Sequence, residues 1–358
     1  MHIPDGYLSP ATCGVLFAVD IPVWASAGRR VRKVVKNRYV PLLAIGAAYC
    51  FLTMMFNVPI PDGTTAHAVG AVLVAVLLGP YAAIIAVGTA LAIQALFFGD
   101  GGVLAYGANC FNMAIVMTLV GYGAYRLVAR GSTLTSPRRA LAAGIGGYVG
   151  LNAAALCAAV ELGLQPVLFH RADGTPLYAP FHLAQALPPM MLAHLSVAGV
   201  VELALTAGIV GYLQRANVAL LRVNHANVAE TDADRAGDEP PRGTWRPALI
   251  GLAVLGALTP LGLIAPGSAF GEGGTSSLDL KRYHLDALPS GLRHYAGFWH
   301  HSLFSGYDFS HDKHPAIGYL LSALVGVVAI AAALFAVLGA RRLVKRRRAH
   351  RRMIRAAT

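Results

Sequence analysis

The sequence predicts an all-α integral membrane protein: a seven-helix bundle with its N-terminus outside, followed by a two-helix accessory unit with an extracytoplasmic loop. Of the 358 residues, 56% are hydrophobic and 13% are charged, about half the charged fraction of a soluble domain. The mean hydropathy is +0.56, and the apolar residues form long uncharged runs, as a bilayer requires. The four cysteines lie in these runs without a C-x-x-C pair, which argues against a disulfide framework or a thiolate metal site.

Nine apolar runs follow one another along the chain. They lie at 11–28, 39–60, 66–79, 81–98, 109–129, 140–163, 187–213, 246–266 and 315–340. A spanning helix needs about 20 residues and the third run has only about 14, so a crossing and a re-entrant segment both stay open for it. Runs three and four must both cross or both fail to cross, because the orientation of every later segment depends on them.

The basic residues predict which way the runs cross. With the N-terminus outside and nine crossings, 24 of the 29 Lys and Arg residues fall on the inner side, as the positive-inside rule requires. We therefore interpret the net charge of +12 as the result of basic residues concentrated on the inner side of the membrane. We interpret the tail 341–358 as a cytoplasmic anchor facing anionic lipid and not as a nucleic-acid-binding segment. The chain is expected in the cell (inner) membrane, with its C-terminus in the cytoplasm.

Composition divides the chain into four parts. Residues 1–223 form the seven-span block, whose many Gly and Ala residues allow close helix packing. Residues 224–245 are polar, acidic and contain Pro and Gly, which is typical of a flexible linker. Residues 246–340 form a two-span accessory unit around an outer loop, 267–314, and residues 341–358 form the basic tail.

Three polar segments are predicted on the outer side of the first block: the N-terminus, the loop 57–67 and the loop 98–112. All are rich in turn-forming residues, and irregular backbone at membrane depth survives only where protein buries it or where it lines a cavity. No cleavable signal peptide is visible, because Pro4 and Asp5 stand where its apolar region would begin. We therefore expect Met1 to remain in the mature protein. We also expect the three polar segments together to form a binding site.

Met1 and His2 offer three nitrogen donors that can bind a metal ion in one plane. The bulky His2 should block removal of Met1, which leaves a free amine beside the His2 amide nitrogen and the imidazole Nδ1. Amine and amide close a five-membered chelate ring, and amide and Nδ1 close a six-membered one. One more imidazole would complete a square of nitrogens, which is typical of Ni(II) or Cu(II) and not of tetrahedral Zn(II). The alternative is that His2 is an exposed polar end.

His67 is the candidate for the fourth nitrogen. The turn just before it can cap the following helix and direct the imidazole toward the outer face, although a hydrogen-bonded histidine at a helix end is the alternative. Neighbouring polar side chains can fix the tautomer and orientation of a ligand, or they can simply form turns and anchor the N-terminal segment. The candidates for this role are Asp5, Asp62, Thr64, Thr65, Asn109 and Asn112.

Three stretches resemble the substrate-binding membrane subunit of energy-coupling-factor (ECF) nickel/cobalt transporters, the CbiM/NikM family. They are MHIPDGYLSP, MMFNVPIPDGTTAHAVGA and IQALFFGDGGVLAYGANCFNMA, and the resemblance extends over about residues 1–222. It implies a bundle of seven spans and a metal bound by the Met1 amine, the His2 amide and imidazole, and His67. It also implies Ni²⁺, or alternatively Co²⁺, as transported substrate, with a transmembrane coupling (T) subunit and cytoplasmic ATPase subunits as partners.

The second block resembles the small accessory subunit (CbiN/NikN-like) of the same transporters, fused here to the first. This likeness rests on two spans around an outer loop. Because neutral imidazole suits Ni and Co, the histidines of the loop predict a metal-collecting surface, and a solvated polar loop is the alternative. They are His284, His294, His300, His301, His311 and His314.

Metal capture for an importer is the leading hypothesis. The chain has no G-x-x-x-x-G-K-[ST] motif, so it is expected not to be an enzyme and to depend on partner ATPases. A cobalt-specific uptake subunit for cobalamin synthesis is the first alternative. A metalloenzyme is disfavoured because protein nitrogens fill all four in-plane positions, and a stand-alone secondary transporter is disfavoured because the halves show no inverted repeat.

Overall fold

The computed structural model describes residues 1–34, 40–60, 64–228, 245–265, 269–308 and 314–357. It confirms the helical membrane architecture. Two short antiparallel strands, β1 (Val58–Ile60) and β2 (Thr64–Ala66), are the sheet found among these residues. The helices are α1 (Pro10–Val34), α2 (Val40–Met54), α3 (Ala71–Leu78), α4 (Pro80–Ile93), α5 (Tyr106–Asn109), α6 (Met117–Val128), α7 (Pro137–Leu168), α8 (Leu183–Ala193), α9 (Gly199–Ala216), α10 (Val218–Arg222), α11 (Trp245–Leu258), α12 (Ser290–Tyr295) and α13 (Pro315–Ala357).

Short stretches of π-helix and 3₁₀-helix connect several of these helices. Among the described residues, one π-helical stretch extends α4, one joins α5 to α6, and one joins α8 to α9. Such π-helical turns are frequent at functional sites. They are Gln94–Phe98, Cys110–Val116 and His194–Ala198. The 3₁₀ turns, all in the second block, are Thr259–Ile264, Thr275–Ser277, Lys281–Tyr283 and Ser305–Tyr307.

Seven helical segments of the described residues are long and apolar enough to cross a membrane. They are Pro10–Val31, Pro80–Phe98, Tyr106–Val128, Pro137–Leu168, Leu183–Ala216, Arg246–Ile264 and Pro315–Ala336. The run 39–60 gives the shorter apolar helix α2, and the run 66–79 gives only the eight-residue α3. At 1.5 Å per residue α3 is about 12 Å long, well short of the hydrocarbon thickness of about 30 Å.

The third run passes from the His67 end of the bundle to the opposite end, and the fourth run returns to the His67 end. His67 and Asp100 both contact His2, so the start of the third run and the end of the fourth lie together. The turn between α3 and α4 is at Gly79, whose φ of 89° suits glycine. It lies at the opposite end, where the Asn224 amide donates to carbonyls in the last turns of α3 at 3.1 and 3.2 Å.

The second block packs along α2 and covers the His67 end of the bundle. The Phe51 ring of α2 lies against Gly326 of α13, which has no side chain to hold it off. Above the helices, the Trp299 Nε1 donates to the Leu96 carbonyl at 2.9 Å, and the Phe304 amide donates to the Phe97 carbonyl at 3.0 Å. The predicted linker 224–245 lies mostly outside the described residues. The predicted tail continues α13 as helix to residue 357.

Helices α6 and α7 are in near backbone contact through glycines. A Cβ on Gly121 would lie 2.6 Å from the Gly146 carbonyl oxygen, and one on Gly150 would lie 2.5 Å from the Met117 carbonyl oxygen. Small residues at such positions let membrane helices approach closely. By contrast, a Cβ on Gly123, in the same helix as Gly121, would meet nothing within 4 Å.

We expect G121V to separate α6 from α7 and to destabilise the protein by about 1–3 kcal/mol, the usual cost of overpacking. G123V makes the same chemical change on an open face and is the matched control. Thermal unfolding of the purified chain in detergent measures both. Equal unfolding midpoints for the two variants would contradict the packing described here.

Candidate metal centre

The N-terminal segment is fixed inside the protein by side chains of the first block. The Ile3 amide donates to Asn109 Oδ1 at 2.8 Å, and Asn109 Nδ2 donates back to the Ile3 carbonyl at 3.1 Å. At the other end of the segment, the Ser9 amide donates to Gln165 Oε1 at 2.9 Å. Because buried backbone groups need partners, these bonds hold Met1 and His2 in one position, and both residues are buried.

His67 reaches the same place from the strand β2. The residues between β2 and α3 are not helical, and the Glu202 carboxylate of α9 accepts the backbone N–H groups of Val69, at 2.8 Å, and Gly70, at 3.0 Å. This carboxylate caps the start of α3. The His67 Nδ1 lies 3.1 Å from the Ala68 carbonyl, which can only accept, so Nδ1 carries the proton and Nε2 keeps a lone pair.

The two imidazoles and the amino end meet in a buried cluster. The rings of His2 and His67 stack with centroids 4.9 Å apart and planes 24° apart. The Nε2 atoms of both rings are buried without a hydrogen-bond partner. Unpartnered buried polar atoms are rare and call for an explanation such as a missing ion.

Two carboxylates lie against these donors. Glu272 pairs with the Met1 amine, its Oε1 accepts the His2 amide N–H at 2.7 Å, and it is 3.7 Å from His67 Nε2. Asp100 Oδ1 lies 2.8 Å from His2 Nδ1. Among the described residues, His2, His67 and Glu272 form the group of metal-ligating side chains whose ligand atoms all lie within 4.8 Å of one another.

Asp100 is itself held by two buried polar side chains. The Tyr307 hydroxyl, from the second block, donates to Asp100 Oδ2. Gln94 Nε2 donates to the Tyr307 oxygen at 2.9 Å and approaches Asp100 Oδ2 at 3.3 Å. The Asp100 carboxylate is therefore fixed on His2 Nδ1. Chelation through Nδ1, as predicted from the sequence, requires the His2 ring to turn away from Asp100.

Burial makes the donor nitrogens available at neutral pH. It lowers the pKa of the Met1 amine to about 5, against the opposing effect of Asp100. Burial, the amino end and His2 together hold the pKa of His67 well below its ordinary value. Burial acts to raise the pKa of Asp100, but His2 and the Tyr307 hydrogen bond bring it below its usual range. Near pH 7 the amine and His67 thus offer lone pairs beside a charged carboxylate.

The residues expected to support the site divide into those that reach it and those that do not. Asn109 bonds the N-terminal segment at Ile3, whereas the Asn112 amide donates to Glu161 at 2.8 Å. Asp5 does not orient His2. Its carboxylate accepts backbone N–H groups of residues 103–105 at 2.8–3.3 Å, because this loop crosses directly over the N-terminal segment.

The remaining candidates lie in the hairpin and in the outer loop. Thr64 and Thr65 are in β2, where Thr65 is buried opposite Pro59, and Asp62 lies outside the described residues. The described histidines of the outer loop are exposed and do not belong to the group around His2. The rings of His300 and His301 lie 4.1 Å apart, and His311 lies outside the described residues.

Sequence reasoning missed four residues that shape the site: Asp100, Glu202, Glu272 and Tyr307. Asp100 stands in the loop 98–112, whose turn-forming residues give no sign of its contact with His2. Glu202 lies in the apolar run 187–213, where an acid is functional by default, but its partners are backbone groups and leave no sequence pattern. Glu272 and Tyr307 belong to the second block, and no local signal connects them with His2.

The chain is similar to known metal transport proteins over most of its length. Residues 2–220 match the family model CbiM, described as the cobalt uptake substrate-specific transmembrane region. The chain is 45% identical, over 97% of its length and 99% of the relative's, to the fused nickel transport protein NikMN of Rhodobacter capsulatus. It is also 45% identical to the probable fused nickel transport protein LarMN of Lactiplantibacillus plantarum, over 92% of this chain and 94% of that one. A crystal structure of a truncated transition metal transporter is 58% identical, with a TM-score of 0.56, over 60% of this chain and 98% of its own.

Replacing Asn109 should release the N-terminal segment. We expect N109L, which removes both bonds from Asn109 to Ile3, to accelerate hydrogen exchange of the Ile3 amide by about tenfold or more, because this buried amide is left unsatisfied at a cost of about 1–3 kcal/mol, whereas the Ile3 carbonyl keeps its bond from the Gly102 amide. N112L is the matched control, since the Asn112 amide serves Glu161. Unchanged exchange in N109L, or equal acceleration in both variants, would show that Asn109 does not anchor this segment.

Proposed function

Because this chain belongs to the CbiM family of substrate-specific transmembrane proteins, we propose that it is the metal-capturing subunit of an importer for Ni²⁺. One observation carries the proposal: the Met1 amine, the His2 amide nitrogen and the unpartnered His67 Nε2 converge around one point in a buried cluster. A buried His67 nitrogen whose lone pair has no hydrogen-bond partner suits a divalent ion, which would supply that partner.

The ligand set we propose is the Met1 amine, the His2 amide nitrogen and Nδ1, and His67 Nε2. A metal ion bound in this plane would replace the His2 amide proton, which is released to solvent, and would draw the imidazole away from Asp100. Four nitrogens in a square favour Ni(II), and the two relatives aligned over nearly the whole chain are named nickel transport proteins. Co²⁺ is the second candidate, because the family model is described by cobalt uptake.

We further propose that the site faces the outside of the cell membrane and that both chain halves form one fused subunit. The block 1–223 binds the ion, 224–245 is the cytoplasmic linker, and 246–340 is the accessory unit. Basic residues at the end away from the site support this orientation. There the Arg139 guanidinium donates to the Tyr125 hydroxyl at 2.7 Å, and Arg30 lies over the Tyr81 ring at 4.5 Å.

Energy for import comes, in this proposal, from a transmembrane coupling subunit and cytoplasmic ATPases. The sequence of 358 residues contains no phosphate-binding loop. A subunit that binds an ion through four protein nitrogens needs a conformational change to release it, and ATP hydrolysis by partners is a source of that change.

An added residue at the amino end tests the ligand set. One glycine before Met1 keeps every side chain in place but moves the primary amine out of the five-membered ring. We expect the extended chain, like H67A, to lose at least about 90% of its Ni²⁺ after purification and desalting, measured by elemental analysis. H182A changes a histidine outside the site and should keep its metal. Full metal content in the extended chain would refute the proposed coordination.

Uptake with and without partner subunits tests the energy source. We expect cells that express the chain with its coupling and ATPase subunits to accumulate ⁶³Ni²⁺ at least about tenfold faster than cells in which the ATPases carry a disabled phosphate-binding loop. The chain alone should bind Ni²⁺ but accumulate little. Equal accumulation in all three strains would favour a stand-alone transporter.

A further inference from the structure

The second block places one carboxylate, Glu272, among the donor nitrogens of the first. Its Oε1 contacts the Met1 amine, lies 2.7 Å from the His2 amide nitrogen and lies 3.7 Å from His67 Nε2. The loop that carries it is fixed on the N-terminal segment, because the Tyr7 hydroxyl donates to the Gly273 carbonyl at 2.9 Å. Glu272 is thus held in the site from outside the first block.

The position of Oε1 coincides with the region that a bound ion must enter. An ion held by Met1, His2 and His67 lies within reach of the same three nitrogens that surround this oxygen. The carboxylate must therefore shift when the ion enters, and the Glu272 side chain is 14% exposed while Met1 is fully buried. The side chain lies at the rim of the site, where such a shift requires no rearrangement of the helices.

The charge of the bound ion explains why this residue is acidic. An ion of charge two, bound to one deprotonated amide and three neutral nitrogens, keeps one net positive charge. A buried charge without a counter-ion is costly. The other carboxylate of the site, Asp100, accepts hydrogen bonds from Tyr307 and Gln94, whereas Glu272 lies against three of the four donor nitrogens themselves and is placed to balance the remaining charge.

We propose that Glu272 is the counter-ion of the captured metal: it occupies the empty site, gives way to the ion and stays beside it without becoming an in-plane ligand. This inference rests on the proposed function. It makes the second block a component of the binding site itself, supplying through one side chain the charge that the first block lacks.

Three substitutions separate the charge of residue 272 from its length, and a fourth, at residue 286, is the control. In the full chain, purified in detergent, Ni²⁺ affinity is measured by competition with a chelator. E272Q removes the negative charge and keeps the length of the side chain. E272D keeps the charge and shortens the side chain, and E272N changes both. We expect E272Q and E272N to bind Ni²⁺ at least about tenfold more weakly, and E272D to stay within about threefold of the parent. D286N, which removes an exposed acid of the same loop, should have no effect.

The visible absorption of bound Ni²⁺ distinguishes a counter-ion from a ligand. The band should keep its position in every variant that still binds, because the four nitrogens are unchanged. A shifted band in E272Q, or an affinity equal to or higher than that of the parent, would overturn the inference. The comparison of E272D with E272N provides the same test should E272Q fail to fold.

The chain with an added N-terminal glycine serves as the reference for the proposed function. If that chain loses its metal while E272Q binds like the parent, the role of Glu272 is wrong and the nitrogen ligand set stands. If the extended chain keeps its metal, the ligand set itself is wrong, and the inference about Glu272 fails with it.

Discussion

Unpaired backbone groups cannot be left at membrane depth, and this constraint organises the whole site. Three parts of the chain near the site are not helical: residues 1–9, the described residues 55–60 and 64–70, and residues 99–105. Their N–H and C=O groups must find partners inside the protein, because no water is available in the bilayer core. Asn109 accepts the Ile3 amide of the first stretch, and Glu202 accepts the Val69 amide of the second. Asp5 accepts the Leu104 amide of the third. The polar side chains that hold the metal donors in place are therefore the same ones that make the irregular backbone tolerable.

The sequence predicts the parts of this arrangement that depend on local pattern. Apolar runs predict the helices, since length and hydropathy suffice to define a span. His2 and His67 stand out because each lies in a polar segment next to such a run. The length of α3 was not predictable, since its start depends on the Glu202 carboxylate, which is 132 residues away from Gly70. The direction of the Asn112 amide was equally hidden, because its partner Glu161 lies in another helix.

The contacts of the second block with the site were even less predictable from the sequence. Glu272 is 270 residues from His2, in a loop for which the sequence predicts either a metal-collecting surface formed by histidines or a solvated polar loop. The conspicuous histidines of that loop drew attention instead, and those described are exposed. Trp299 and Phe304 bond to the carbonyl groups of the π-helical stretch that follows α4, next to Tyr307, and the Tyr7 hydroxyl fixes the loop of Glu272 through the Gly273 carbonyl. Such contacts depend on the tertiary fold and have no signature in a single sequence.

The donors of the proposed site are carried by separate parts of the molecule, and this distribution gives a physical route to release. Met1 and His2 are fastened to Asn109 at α5, whereas His67 is fastened through Val69 to Glu202 on α9. Square-planar coordination tolerates little displacement, and helix shifts of about 1–2 Å are common in switching proteins. A shift of α9 relative to α5 therefore separates His67 from the amino end and lowers the affinity without unfolding either part. A partner that moves α9 could in this way convert a tight site into a releasing one, and Glu272, mounted on neither helix, would be free to return to the empty position.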